Sequence, residues 1–145
     1  MRKAIAIDPG KDKCGLVIAD INQRKVLEAK VILSTYLVSY LKKIFQNENH
    51  TQFLIGNGTS SQNYINELNQ FIPDLIAVEE KNSTYRAKQR YFEIFHLNGL
   101  KSFLPREIFL LNKNLDALAA LIILEDYYSF KFEFNELINI KTWLK

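Results

Sequence analysis

The first 33 residues contain three short apolar runs separated by two polar turns, and this pattern constrains the fold more than any other feature. The runs cover residues 3–8, 14–19 and 25–33, and the turns cover 9–13 and 20–23. Short runs joined by turns rich in Gly, Pro, Asn and Asp are typical of hairpins. The opening is therefore predicted to be an antiparallel meander of three strands.

After residue 33 the apolar period changes from that of strands to that of helices. Helical spacing begins at about 35–47 and returns three times, while short apolar runs at 52–55 and 74–79 indicate strands. The predicted order is β-β-β-α-β-α-β-α-loop-α, with the loop at 96–113 and the last helix at about 114–128. A meander followed by strand–helix units predicts an α/β domain with a mixed sheet and helices packed on it.

The length and composition favour one ordinary globular domain. The chain has 145 residues, of which 48% are hydrophobic and 24% charged, so we expect a single domain over 1–145. No apolar run approaches the roughly 20 residues needed to cross a bilayer. The only cysteine, Cys14, cannot form an internal disulfide and is predicted to pack as a small apolar residue. We therefore expect a cytoplasmic protein without membrane contact.

Acidic residues stand next to apolar runs at three places that are far apart in the chain. Asp8 closes the first strand, Glu79 and Glu80 follow the apolar run of the fifth, and Asp116 opens the last helix. An unpaired buried charge is costly, so these side chains must lie where the elements leave the core. Converging carboxylates need a cation to offset their repulsion, and they favour Mg²⁺ or Mn²⁺. The pattern predicts metal-assisted chemistry, most simply on phosphate.

Basic residues are concentrated between residues 81 and 113, beside two of these acidic positions. Seven basic residues oppose two acidic ones there: Lys81, Arg86, Lys88, Arg90, Lys101, Arg106 and Lys113 against Glu93 and Glu107. A basic surface next to a metal site suits a phosphodiester polymer. For any single lysine, a solvated helix face is the simpler interpretation.

Four segments resemble, in the same order, the motifs of one known family. They are residues 6–10 with 14–17 (AIDPG and CGLV), 55–60 (IGNGTS), 78–84 (VEEKNST) and 115–120 (LDALAA). Together they resemble the YqgF/RuvX, Holliday junction resolvase-like branch of the ribonuclease H-like superfamily. The resemblance covers about residues 1–128 and leaves 129–145 as a C-terminal extension, where apolar spacing over 137–144 favours a short amphipathic helix.

The resemblance implies a ribonuclease H-like fold with a mixed five-stranded sheet, made of the antiparallel three-strand meander and two parallel strands, flanked by helices. It also implies a metal-dependent endonuclease, monomeric or homodimeric, that acts on structured RNA or branched DNA, such as precursors of 16S ribosomal RNA or Holliday junctions. One alternative is a catalytically inactive nucleic-acid- or ribosome-binding module with the same fold. Another is a fragment of an actin-like ATPase, although 145 residues are too few for the two domains of such an enzyme.

Carried over residue by residue, the resemblance makes Asp8, Glu80 and Asp116 the ligands of two Mg²⁺ or Mn²⁺ ions, with Asp8 between them. Successive strand residues point to opposite faces, so only one of Glu79 and Glu80 should face the metal. The motif alignment favours Glu80.

Nucleic-acid contacts are expected at loops and at one helix face. The glycine-rich turn at 56–61 could hold a phosphate on its N–H groups, or it could be a tight turn whose Ser or Thr caps the next helix. Ser83 and Thr84 allow the same two interpretations, and Arg86 and Arg90 share a helix face. The expected contacts are Lys11, Asn57, Gly58, Thr59, Lys81, Thr84, Arg86 and Arg90.

Overall fold

A computed structural model describes residues 1–96, 103, 105, 115–135 and 137–143, and most of the predicted loop at 96–113 lies outside these residues. The elements follow the predicted order. They are β1 (Lys3–Asp8), β2 (Lys13–Asp20), β3 (Lys25–Leu33), α1 (Ser34–Asn47), β4 (Thr51–Gly56), α2 (Ser61–Leu68), β5 (Ile76–Val78), α3 (Ser83–Ile94), α4 (Asp116–Tyr128) and β6 (Lys141–Trp143). None of the described helices is long and apolar enough to cross a membrane.

The strands form one mixed sheet in the order β5-β4-β1-β2-β3-β6. β1, β2 and β3 are antiparallel neighbours, whereas β4 pairs parallel to β1 and β5 pairs parallel to β4. The predicted mixed arrangement of five strands is therefore confirmed, and β6 adds a sixth strand at one edge. Its topology makes β1 an interior strand, with the carboxyl ends of β1, β4 and β5 at the same edge of the sheet.

The C-terminal tail corrects one prediction, because residues 141–143 form a strand rather than part of a helix. β6 pairs parallel to β3 over three residues, with Lys30, Val31 and Ile32 opposite 141–143. Without it, β3 would expose a row of unpaired backbone N–H and C=O groups at the edge of the sheet. Backbone pairing thus outweighs the weak helical spacing of this short segment.

Helices cover both faces of the sheet, and strand alternation decides which residues face which layer. Ile5 and Ile7 of β1 pack with Leu37 and Leu41 of α1 on one face. Ala4 and Ala6 pack on the other face with α3, α4 and part of the tail. The small alanine side chains allow α4 to lie close to the sheet, and residues 117–125 of that helix are all buried. Asp8 continues the Ala4–Ala6 series, so its side chain is directed toward α4.

Candidate active site

The end of β1 holds Asp8 at the edge of the core, where its side chain is half-buried. The turn that follows is fixed by α2, since the hydroxyl of Tyr64 donates a hydrogen bond to the carbonyl of Gly10 at 3.0 Å. The Gly10 N–H also lies 3.5 Å from the sulfur of Cys14. Cys14 itself is buried on β2, as predicted, and burial raises the pKa of its thiol. Asp8 therefore sits on a well-supported strand end.

Gly15 brings Asp116 to this strand end. It lies opposite Asp8 in the β1–β2 register. A Cβ atom at Gly15 would lie 1.8 Å from the Asp116 carbonyl oxygen and 2.9 Å from the Ala117 nitrogen. The missing side chain lets the first turn of α4 rest directly on β2, beside Asp8. An isolated glycine within an apolar strand often marks such a close backbone approach, and this is the sequence signal for the contact.

Glu80 reaches the same place from the end of β5. The N–H of Asn57 donates to the Val78 carbonyl at 2.7 Å and joins the β4–α2 loop to the end of β5. Cβ atoms at Gly56 and Gly58 would lie 2.0 and 2.7 Å from the two Glu80 carboxylate oxygens. The glycines of this turn therefore make room for Glu80, a role that sequence reasoning missed when it weighed a phosphate loop against a helix cap.

Glu79 points away from the carboxylates. Its side chain is 80% exposed, and its carboxylate lies 3.6 Å from the ammonium of Lys81, which is exposed to the same extent. Both acids follow β5 rather than lying in it, and the chain there leaves Glu80, and not Glu79, beside Asp8.

The three carboxylates interact strongly in the folded protein. The pKa of Asp8 is raised from 3.8 to about 8 by burial, then by a hydrogen bond to Glu80, and then by the negative charges of Glu80 and Asp116. A protonated Asp8 carboxyl group can donate this hydrogen bond to Glu80. Asp116 acts on Asp8 as a nearby charge. A buried carboxyl group whose pKa is raised this far by neighbouring acids marks a candidate functional site.

The donor set fits a divalent cation, although its members are not arranged as a finished coordination sphere. Within the described ranges, no three His, Cys, Asp or Glu side chains stand together in a geometry that could hold an ion as they are placed. However, Oε1 of Glu80 is buried and accepts no hydrogen bond from an N–H or O–H group of the described residues. A buried carboxylate oxygen needs a donor or a cation. Hard carboxylate oxygens suit Mg²⁺ or Mn²⁺.

An open hollow of about 560 Å³ adjoins Glu80. Its lining includes Gly58 and Thr59 from the β4–α2 loop, and Thr84 and Lys88 from α3. Hydroxyl groups and an ammonium group are suited to phosphate oxygens. Three of the expected nucleic-acid contacts, Gly58, Thr59 and Thr84, thus lie together with Glu80 around this hollow.

The other expected contacts of the loops lie around this hollow rather than in it. Lys11 is exposed and lines a neighbouring hollow with Ser60 and Tyr64. Asn57 is exposed, and its side-chain oxygen lies 3.3 Å from the Ser61 hydroxyl.

Arg86 and Arg90 do not form a free basic face, because both are paired with acids of α4, while their contact with a nucleic-acid backbone stays a prediction. Arg86 makes a two-pronged ion pair with Asp126 of α4, at 2.6 and 2.7 Å. Arg90 is largely buried and pairs with Glu125 at 2.9 Å. Their shared helix face packs against α4, so both guanidinium groups join helices. The basic residues Lys101, Arg106 and Lys113 lie outside the described residues.

Side-chain capping is absent from the helix starts for which it was considered. The cap position of α3 is Asn82, with a left-handed backbone (φ 53°), and neither α2 nor α3 has a side-chain cap hydrogen bond. Ser61 instead donates from its hydroxyl to the Gly58 carbonyl at 2.6 Å, which tightens the turn beneath Glu80.

The raised pKa of Asp8 predicts how stability varies with pH when no metal is added. Folded Asp8 keeps its proton up to about pH 8, whereas an unfolded aspartate loses it near pH 4. Between these values the folded state binds more protons, so the free energy of unfolding should fall as pH rises, by up to about 1.4 kcal/mol per pH unit. Urea denaturation in EDTA from pH 5 to 8 measures this slope. Asp8→Asn should flatten it, and equal slopes in both proteins would contradict the prediction.

Comparison with known proteins identifies the fold. No family model and no curated protein matches the sequence. The structure of Thermus thermophilus RuvC in complex with a Holliday junction substrate is similar, with a TM-score of 0.51 at 12% identity, over 89% of this chain and 95% of that chain. A structure of T. thermophilus RuvC gives a TM-score of 0.49 at 12% identity, over 88% and 94% of the two chains. The ribonuclease H-like fold is thus confirmed, while membership of the YqgF/RuvX branch stays a prediction.

Proposed function

We propose that the protein is a divalent-metal-dependent endonuclease that hydrolyses phosphodiester bonds in structured nucleic acid. One observation carries this function: Asp8, Glu80 and Asp116 come from three separate elements and interact at one edge of the sheet. Glu80 also lines an open hollow that contains Lys88 and several hydroxyl groups. Acidic metal ligands beside a phosphate-binding surface are the two parts that metal-assisted phosphodiester hydrolysis requires.

Asp8, Glu80 and Asp116 would hold the metal. A bound Mg²⁺ or Mn²⁺ would supply an activated water and neutralise charge on the reacting phosphate. Oε1 of Glu80 accepts no hydrogen bond from the described residues, so this oxygen is available to a cation. Asp116 lies in the first turn of α4, where the helix dipole favours a carboxylate by about 0.3–1 kcal/mol. Asp8 must lose its proton for the set to bind a cation, so metal binding and proton release should be linked.

The surroundings of the carboxylates support a polymeric substrate. The hollow is open on its outer side, and Thr59, Thr84 and Lys88 can contact phosphates on either side of the reacting one. A similar fold binds a Holliday junction in T. thermophilus RuvC. We therefore propose structured RNA, such as a ribosomal RNA precursor, or branched DNA as the substrate class.

A cleavage panel tests this function. Purified protein should cut at least one of a set of single-stranded, duplex and branched RNA and DNA substrates with Mg²⁺ or Mn²⁺, and should cut none in EDTA. If no substrate of the panel is cut with either metal, the proposed nuclease function is wrong.

Thermal stability separates the nuclease from an inactive binding module with the same fold. A metal that binds only the folded protein stabilises it, by about 2.7 kcal/mol at one hundred times its dissociation constant. We expect Mg²⁺ or Mn²⁺ to raise the Tm by several degrees, more at pH 8 than at pH 6, because a larger fraction of Asp8 is ionised at the higher pH. No shift with either metal would favour the inactive module.

A further inference from the structure

Glu80 is the least firmly anchored of the three carboxylates. Asp8 lies on an interior strand and Asp116 begins a buried helix. Glu80 instead follows β5, a strand of three residues that pairs with β4 at the edge of the sheet. The chain then enters α3, which packs on α4. The position of Glu80 therefore depends on how α3 is fixed to α4.

A buried ionic network makes that connection. Arg90 of α3 donates from Nε and Nη2 to Oε1 of Glu125 on α4, at 3.2 and 2.9 Å. Its Nη1 donates to Glu93 at 3.1 Å. The side chains of Arg90 and Glu125 are only 11% and 8% exposed. A planar guanidinium group that donates to several acceptors is held in one orientation, whereas the ammonium group of a lysine would stay flexible.

The chain beyond α4 closes the network. We call residues 130–134 the clamp segment. Both backbone groups of Phe132 take part: its carbonyl accepts from Arg90 Nη2 at 2.8 Å, and its N–H donates to Glu125 Oε1 at 3.0 Å. Lys131 adds an ion pair with Glu93 of α3 at 2.8 Å. The network thus joins α3, α4 and the clamp segment at one point.

The far side of the clamp segment is tied to the sheet. The N–H of Glu133 donates to the Arg24 carbonyl at 2.8 Å, and the Val26 N–H donates to the Glu133 carbonyl at 2.9 Å. The Phe132 side chain is 1% exposed within the core. Because the clamp segment is bonded to the sheet on one side and to α3 on the other, it fixes where α3 lies relative to the sheet.

We propose that Arg90, Glu125 and the clamp segment form a positioning network that fixes α3, and through it Glu80, against the rest of the carboxylate site. Its effect on cleavage rests on the proposed nuclease function, whereas its effect on α3 does not. Residues 130–134, which lie beyond the segments that resemble the YqgF/RuvX motifs, have a structural role in this network. Arg90, which the sequence suggested as a nucleic-acid contact, has one as well.

The sharpest test removes both charges and keeps the packing. Well-packed apolar residues often replace a buried ion pair with little loss of stability, so Arg90→Met/Glu125→Leu should fold, with a Tm lowered by the loss of two hydrogen bonds to the buried backbone of Phe132. The carbonyl and N–H of Phe132 lose these hydrogen bonds, which they make to Arg90 and Glu125. We expect the amides of α3 and of residues 79–82 to exchange at least about tenfold faster, and kcat to fall at least about tenfold with KM nearly unchanged.

The matched control is Arg86→Met/Asp126→Leu, which removes the more exposed ion pair between the same two helices. An exposed pair contributes less than a buried one, so amide exchange in α3 and residues 79–82 should rise much less than in Arg90→Met/Glu125→Leu. If the Arg90→Met/Glu125→Leu protein does not fold, Arg90→Lys keeps the charge and loses the fork, and the same changes are expected from it.

The outcomes separate this network from the nuclease itself. Parental exchange rates in α3 in a folded Arg90→Met/Glu125→Leu protein would overturn the positioning role, and so would a uniform rise in exchange over all elements. Faster exchange confined to α3 and 79–82 supports it even if the parent protein cuts no substrate, in which case only the nuclease fails. Faster exchange with parental kcat in an active enzyme would also overturn it.

Discussion

Asp8→Asn should fold like the parent protein and lose metal-dependent cleavage by about a thousandfold or more. Asn keeps the size of the side chain but cannot carry the negative charge that a divalent cation requires. Loss of metal assistance removes several kcal/mol of transition-state stabilisation, and about 4 kcal/mol corresponds to roughly a thousandfold in rate. Cleavage of the best substrate in the panel, measured with saturating Mg²⁺, gives the ratio.

A second readout of Asp8→Asn does not depend on activity. The variant should keep the circular dichroism of the parent protein and be at least as stable at pH 8, because it no longer has a buried acid that resists ionisation. It should also lose most of the metal-induced rise in Tm. Glu79→Gln is the matched control, since Glu79 is exposed on the opposite side of the strand end and should retain activity. Full activity in Asp8→Asn would remove Asp8 from the reaction.

The first half of the fold was predictable because its signals are local. Strand alternation and turn residues belong to neighbouring positions in the chain, so the residues 3–8 and 25–33 predicted for β1 and β3 match the structure. Alternation also predicted opposite directions for Glu79 and Glu80, and the two side chains do point apart, although both residues lie just beyond the end of β5. Local pattern was less reliable for β5, which is shorter than its apolar run over 74–79.

What the sequence did not predict depends on partners that are distant along the chain. The spacing of Arg86 and Arg90 indicates a shared helix face, but not what covers it. Their carboxylate partners lie 40 and 35 residues later, respectively, on a helix whose orientation only the tertiary structure fixes. The tail is a similar case: a short run with weak helical spacing becomes β6 because the exposed edge of β3 is available for pairing.

The glycines show how a tertiary contact can leave a trace in the sequence. Gly15 interrupts an apolar strand and Gly56 ends another, and both positions read as ordinary turn or strand glycines. The structure gives them different neighbours: backbone of α4 at Gly15, and the end of a side chain at Gly56. Substituting each with alanine should therefore have different consequences.

Gly15→Ala should destabilise the protein severely. Its Cβ would lie 1.8 Å from the carbonyl oxygen and 2.2 Å from the carbonyl carbon of Asp116, and neither atom can rotate away. The start of α4 would have to move off β2, and α4 is buried along most of its length. Overpacking a core commonly costs about 1–3 kcal/mol, and a clash with buried backbone should reach at least the upper end. Urea denaturation should show a loss of about 3 kcal/mol or more, and the Tm should fall by roughly 6–12 °C.

Gly56→Ala provides the control, because its Cβ would meet Glu80 Oε1 at 2.0 Å and Ile123 Cδ1 at 2.7 Å, which are ends of side chains that can turn aside. It should cost less stability than Gly15→Ala but displace Glu80, so its main loss should be in cleavage and in metal-induced stabilisation. A Gly15→Ala protein as stable as the parent would mean that α4 does not rest on β2. In that case Asp116 would not be brought to Asp8 in the way this contact requires, and the carboxylate site would lose its third member.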